Sequence, residues 1–399
     1  MDAVSGGVTY PKGFLAAGVR AGIKEHGEDT ALICSGAPAS AAGVFTTNVV
    51  KAAPVLVSRG RVPRGTARAV VVNSGNANAC TGEQGMSDAL EMARHTAHLL
   101  DVAEEDVLVA STGVIGRRLP IDELSAGIEQ AARSLSADGG ASAARAILTT
   151  DTHPKEAAVE VSVGGSKVRL GGIAKGAGMI CPNLATMLSF ITTDAAISPE
   201  MLQNCLSQSV EISFNCLTVD GDTSTNDTVI VLANGAAGNP MISSTGTGLD
   251  AFQKGLDFVT TALAKQIAAD GEGATKMVEI SVSGTDSFGE ARQIAKTIAN
   301  SPLVKTAMFG CDPNWGRILA AAGRAGVNFD PKEVNLFFGT VPLVRHGEPA
   351  DFSQDDVRGL LSKPRVNILL EVGSGSGAAT VWTCDFSYDY VRVNAEYHT

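Results

Sequence analysis

"GGIAKGAGMICPNLATMLSFITTDA", residues 171–195, places Lys175 among glycines and then Thr186 between the small Ala185 and an apolar run. Read plainly, Thr186 is a strand residue that follows a turn. A chemical reading starts from a missing base. The chain has no GxSxG elbow, no HExxH pair and no cysteine with a histidine partner in sequence context. A threonine at a chain terminus carries its own base, because an α-amino group with a pKa of ~7.7–8.0 can take the hydroxyl proton near neutral pH. An internal threonine gains that amine only if the bond before it is cut. Ala185, in a loop loosened by glycines, leaves room for the hydroxyl to attack the preceding carbonyl. The stretch therefore predicts either self-cleavage between Ala185 and Thr186 or an ordinary strand, and these residues alone leave both open.

Around it the sequence reads as α/β. "AAVEVSVGGSKVRLGGIAK" predicts a hairpin turning at Gly164 and Gly165 and leading into the quoted stretch. Upstream, "ARAVVVNSGNANACTG" predicts a buried strand over 68–72 ending in a Gly/Asn loop, and a helix follows with Ser87 as its N-cap. "EDVLVASTGVIG" repeats the scheme, with Pro120 in the first turn of the next helix. Downstream, Ser198-Pro199-Glu200 opens a helix, 228–233 is a strand preceded by Asx-type turns, and a long amphipathic helix stops at Gly271. Helices over about 289–300 and 313–324 precede a β-rich end. Such units offer functional groups at the loop after each strand.

Composition excludes several classes. A chain of 399 residues, 44% apolar and 18% charged, has a large interior and is long for one core, so two or three packed lobes are expected. Its net charge of −11, without a basic run, argues against nucleic acid. The start resembles no signal peptide and no segment is apolar enough to span a bilayer, so a cytoplasmic location is expected. Seven cysteines without a CxxC pair read as reduced packing residues, and His95 and His98 as a solvated pair rather than metal ligands. The glycine runs "GGIAKGAG" and "GSGSGAAT" lack the helix that a phosphate-cradling loop requires.

Stretches along the whole chain resemble the glutamate N-acetyltransferase, or ornithine acetyltransferase, family of arginine biosynthesis. They include "GFLAAGVRAGIK", "NSGNANACTG", "ASTGVIGRRLP", "ILTTDTHPK", the quoted stretch, "DTSTNDTV", "DGEGATKMVE", "SPLVKTAMFGCDPNWGR" and "YVRVNAEYHT". The resemblance implies a layered αββα fold, similar to N-terminal-nucleophile hydrolases but with its own topology. It implies cleavage into an α chain, 1–185, and a β chain, 186–399, that stay together as an α2β2 assembly. Thr186 would be the nucleophile that takes acetyl from N-acetylornithine and passes it to glutamate. By the same resemblance the Thr112 side chain and Gly113 N–H form the oxyanion hole and Lys175 meets the α-carboxylate. Glu272 meets the ornithine ammonium or orders a proton relay. Thr149 and Thr150 resemble a substrate-contacting pair, and Asn394 and Thr399 belong to a substrate-binding tail. No metal and no bound cofactor is implied, and acetyl-CoA enters only in a bifunctional form. A self-cleaving aminopeptidase or amidohydrolase, and an uncleaved ligand-binding protein of the same fold, are the alternatives.

Overall fold

Strand β3, Thr30–Phe45, is long enough to serve two sheet layers, and its bend organises the chain. The computed structural model describes residues 1–181 and 187–396. Before and after that bend lie β1 (Asp2–Val4), β2 (Phe14–Val19), β4 (Arg64–Asn76), β5 (Val107–Val114), β6 (Lys155–Val163), β7 (Ser166–Lys175), β8 (Leu188–Thr193) and β9 (Thr228–Ala233). They hydrogen-bond in the order β1-β6-β7-β8-β9-β3-β4-β5, with β2 also on β3. Thr30–Cys34 of β3 pair with β4, the register shifts between Cys34 and Ala39, and Ser40–Phe45 pair with β9. The bulged bend folds the sheet over on itself.

Side-chain alternation then assigns every face. Ile33, Val70, Val72 and Leu108 of one half pack in one cluster with Ile173, Phe190, Ile230 and Leu232 of the other. The alternate residues Leu32, Val71 and Val109 point outward to helices α1 (Ala53–Arg59), α2 (Gly82–Leu100) and α3 (Ile121–Arg133). A short α4 (Gly140–Ala146) places Ala143, Ala144 and Ala146 in the inner cluster. On the far side, Val159, Val161, Val229 and Val231 meet α5 (Pro199–Ile212) and α6 (Thr247–Ala269). Helix, sheet, sheet and helix are the expected αββα layers. A one-residue slip would expose a whole row of these side chains, each contributing ~1.5–3 kcal/mol by burial, so the register is fixed.

A second sheet uses β10 (Met277–Gly284), β11 (Asn335–Phe338), β12 (Val341–Arg345), β13 (Glu348–Pro349), β14 (Arg365–Glu371) and β15 (Gly375–Cys384), in the order β13-β12-β11-β14-β10-β15. Helix α7 (Phe288–Ala299) lies on β10 and β15, and α8 (Pro302–Phe309), α9 (Trp315–Gly323) and α10 (Gln354–Leu361) complete the lobe. Phe252 and Ile267 of α6 share one core with Ile280 and Val381, so the two lobes are continuous. The chain closes with α11 (Tyr388–Glu396).

The hairpin turns where the sequence predicts, with φ of +56° at Gly164 and +84° at Gly165. Ser198 caps α5 by accepting the Met201 N–H. Four expectations are corrected. Ser87 lies inside α2, because a turn in which Asn78 accepts from Thr81 Oγ1 starts that helix earlier, at Gly82. Pro120 precedes α3 instead of sitting in its first turn. β4 runs on through the Gly/Asn residues to Asn76, paired with β5. Cys34, Cys205, Cys216 and Cys384 are buried packing residues, but Cys80 is exposed. The sequence predicts no helix at α1, α4, α8, α10 or α11.

Candidate active site

Parallel pairing of β4 and β5 carries Thr112 and Gly113 to the open end of the inner layer, beside Asn73–Asn76. β7 delivers Lys175 to the same end, the loop after α4 brings Thr149 and Thr150, and the loop after α6 brings Glu272. These six residues line one pocket, together with Asn394 from α11. Seven residues singled out in sequence thus converge from five separate segments. Ala185, Thr186 and Thr399 lie outside the described residues. Gly113 is dictated by sterics: its φ is +133°, and a Cβ would stand 2.3 Å from the Gly75 carbonyl carbon.

Lys175 is buried, and its Nζ donates to Thr149 Oγ1 at 2.7 Å and to Thr112 Oγ1 at 3.5 Å. A threonine oxygen that accepts keeps its own O–H to donate elsewhere, so both hydroxyls stay available to a ligand oxygen. Burial pushes the Lys175 ammonium below its ordinary value, and the negative charge of Asp151 opposes that push. The Asp151 side chain is itself fully buried. Burial would raise its carboxyl, but the Lys175 and Lys155 charges, with hydrogen bonds from Lys155 and the Gly176 N–H, outweigh it and hold it at about 2. The pocket floor is therefore a buried lysine backed by a buried carboxylate.

Glu272 lines the same pocket. Its N–H donates to the Ala177 carbonyl at 2.8 Å, and its carboxylate packs where a Cβ on Gly178 would come within 2.3 Å. Asn394 Nδ2 donates to Glu272 Oε2 at 2.9 Å. Helix α11 is brought there by the Tyr388 ring set edge-on to Phe309 of α8, centroids 5.5 Å apart, and by Ser387 Oγ donating to the Gly273 carbonyl. A cation wall and a carboxylate wall suit a small zwitterionic ligand. Gly176 and Gly178, read in sequence as loosening a cleavage loop, have their own tasks here: one donates to Asp151 Oδ1 and the other makes room for Glu272.

A protein-family model described as the ArgJ family matches residues 15–399. The chain belongs to the ArgJ family. It is 52% identical over 402 residues to the arginine biosynthesis bifunctional protein ArgJ of Symbiobacterium thermophilum, covering 100% of both chains. It is also 52% identical to the ArgJ protein of a Synechococcus species, over 99% of this chain and 98% of that one. The crystal structure of ArgJ from Bacillus halodurans aligns with a TM-score of 0.52 and 44% identity, covering 53% of this chain and 100% of that one.

In this ArgJ-family chain the pocket also uses residues that the sequence did not flag. Asn226 Nδ2 donates to the Ala77 and Ser111 carbonyls, at 2.7 and 2.8 Å, and so ties the loops after β4 and before β9 around Thr112. Met179 lines the rim. Asp227 is buried against Met187, and Asp151 and Lys155 stand behind Lys175. A signal was present for the lysines, since Lys155 and Lys175 bracket strands whose other residues are mostly apolar or small, and a buried lysine needs a carboxylate. Among the described residues no group of His, Cys, Asp or Glu is arranged to hold a metal ion, and no helix is long and apolar enough to cross a membrane.

Proposed function

We propose that this ArgJ-family chain is an acetyltransferase of arginine biosynthesis that moves acetyl from N-acetylornithine to glutamate through Thr186. The observation that carries this reading is the convergence of Thr112, Gly113, Thr149, Thr150, Lys175, Glu272 and Asn394 on one pocket. Lys175 donates to the α-carboxylate shared by both substrates, and Glu272 accepts from the side-chain ammonium of the donor. The Thr186 hydroxyl gives its proton to its own α-amino group and attacks the acetyl carbonyl. The Thr112 hydroxyl and the Gly113 N–H take up the tetrahedral oxyanion, in which one such donor contributes ~2.7–4 kcal/mol. Ornithine leaves with the proton, and the glutamate amine then attacks the acetyl ester.

Cleavage before Thr186 is part of the proposal. The halves would remain joined, because β7, before the cut, pairs with β8, after it, and β9 pairs with β3. The share of this chain spanned by the Bacillus halodurans structure, 53%, is close to the share lying after Ala185. An α2β2 assembly, a substrate role for Thr399, an added acetyl-CoA-dependent activity and a cytoplasmic location follow from the resemblance.

Intact mass of the purified protein is the test. Two fragments meeting at position 186, with Thr186→Ala giving one full-length inactive chain, are expected. An uncut active parent would overturn the nucleophile. Incubation with N-acetylornithine distinguishes transfer from hydrolysis: equal acetate release with and without glutamate would replace the transferase by an amidohydrolase.

A further inference from the structure

Behind the pocket, the buried Lys155 joins the carboxylate beside Lys175 to the carboxylate two residues before Glu272. Lys155, fully buried, donates from Nζ to Asp151 Oδ1 at 2.7 Å and to Asp270 Oδ2 at 2.5 Å. Asp151 also faces Lys175, Oδ2 to Nζ 3.8 Å, and accepts the N–H of Gly176, the next residue, at 2.6 Å. Asp151 Oδ2 accepts the Thr149 N–H as well, at 3.1 Å. On the other side Asp270 ends α6 two residues before Glu272, and it accepts the Thr152 N–H at 3.0 Å. Lys155 is thus the common partner of the carboxylate that faces Lys175 and of Asp270, the residue that leads from α6 into the Glu272 loop. Nothing in the proposed chemistry uses Lys155 or Asp270 directly.

We propose that the buried Asp151–Lys155–Asp270 bridge is a positioning device that fixes the span between Lys175 and Glu272 and thereby selects the length of the diamino-acid donor. This rests on the assignment of Lys175 to the α-carboxylate and Glu272 to the side-chain ammonium. With Lys175 and the Glu272 loop both positioned from Lys155, a donor one methylene shorter or longer cannot satisfy both ends at once, and one methylene is worth ~10–200-fold in discrimination. Glutamate presents no ammonium to Glu272, so its recognition depends on the Lys175 side alone.

The test compares the Nα-acetyl derivatives of 2,4-diaminobutyrate, ornithine and lysine as donors, with glutamate as acceptor, in the parent and in Asp270→Asn. The parent should favour the ornithine derivative by about tenfold or more over both neighbours. In Asp270→Asn that ratio should collapse toward one, chiefly through KM for the donor, while KM for glutamate stays within about twofold of the parent. If Asp270→Asn does not fold, the double variant Lys155→Met with Asp270→Asn removes both charges of the pair, and the same collapse is expected. A folded variant that keeps the parent's length ratio, or a parent with no length preference, overturns the inference. A parent that transfers no acetyl at all overturns the functional reading instead.

Discussion

The Met187 N–H donates to Asp227 Oδ1 at 3.2 Å, while Asp227 Oδ2, also buried, has no hydrogen-bond partner among the described residues. A carboxylate so placed is poorly solvated, and burial raises the Asp227 carboxyl well above its ordinary range, against the pull of the Met187 N–H and the Lys175 charge. Asp227 stands next to the residue that follows Thr186, so its protonation belongs to the pocket's electrostatics.

The sign of its effect on stability follows from linkage. Above the ordinary carboxylate range the unfolded chain has released this proton while the folded chain still holds it, so the Asp227 contribution weakens as pH rises toward the folded value. Asp227→Asn removes that slope. Urea midpoints at pH 4.5 and 8 should show the variant gaining on the parent at the higher pH, and an equal gap at both would place a charged Asp227 in the folded protein.

Thr112→Val keeps shape and removes the O–H proposed for the oxyanion. The expected loss is ~10²–10³ in kcat, with KM for N-acetylornithine changed far less. Steady-state kinetics at saturating glutamate read it. A loss confined to KM would make Thr112 a substrate contact, acting through its neighbour Lys175.

Much of this arrangement is legible in sequence. Alternating apolar residues give β6 and β7 their places and a continuous apolar run gives β9 its own, a strand-loop-helix unit puts Thr112 at a strand end, and the hairpin leads to Lys175. The residues that escaped reading are tied by long-range polar contacts with no periodic signature. Lys155 meets Asp270 across 115 positions, and Asn226 reaches the Ala77 carbonyl across 149. Helix α11 escaped because it buries none of its own residues, with Tyr388 and Val391 exposed, and docks through the Tyr388–Phe309 ring contact and Asn394. The resemblance, not the local pattern, carried Glu272 and Asn394.

Two glycines beside Thr112 separate strain from crowding. A Cβ on Gly113 would lie 2.3 Å from the Gly75 carbonyl carbon and 2.5 Å from the Asn76 nitrogen, backbone that cannot step aside without parting β4 from β5. Gly116, with φ +80°, has nothing within 4 Å of that position. Gly116→Ala should cost about 1 kcal/mol for its left-handed backbone alone. Gly113→Ala should cost at least about 3 kcal/mol and lose activity with it. Thermal unfolding of the two variants checks the order.

Asp151 gives the opposite pH dependence from Asp227. Its carboxyl, held at about 2 in the fold, lies below its value of 3.8 in the free side chain, so its contribution is present above that value and is lost as pH falls toward about 2. The difference corresponds to about 2 kcal/mol at neutral pH. Asp151→Asn also leaves Lys175 and Lys155 without their shared anion, and breaking one side of a buried ion pair costs ~3–5 kcal/mol. The variant should therefore be destabilised at pH 7 and nearer to the parent at pH 3. Urea unfolding at the two values decides it: a constant gap would mean that Asp151 contributes through packing and hydrogen bonds instead of charge.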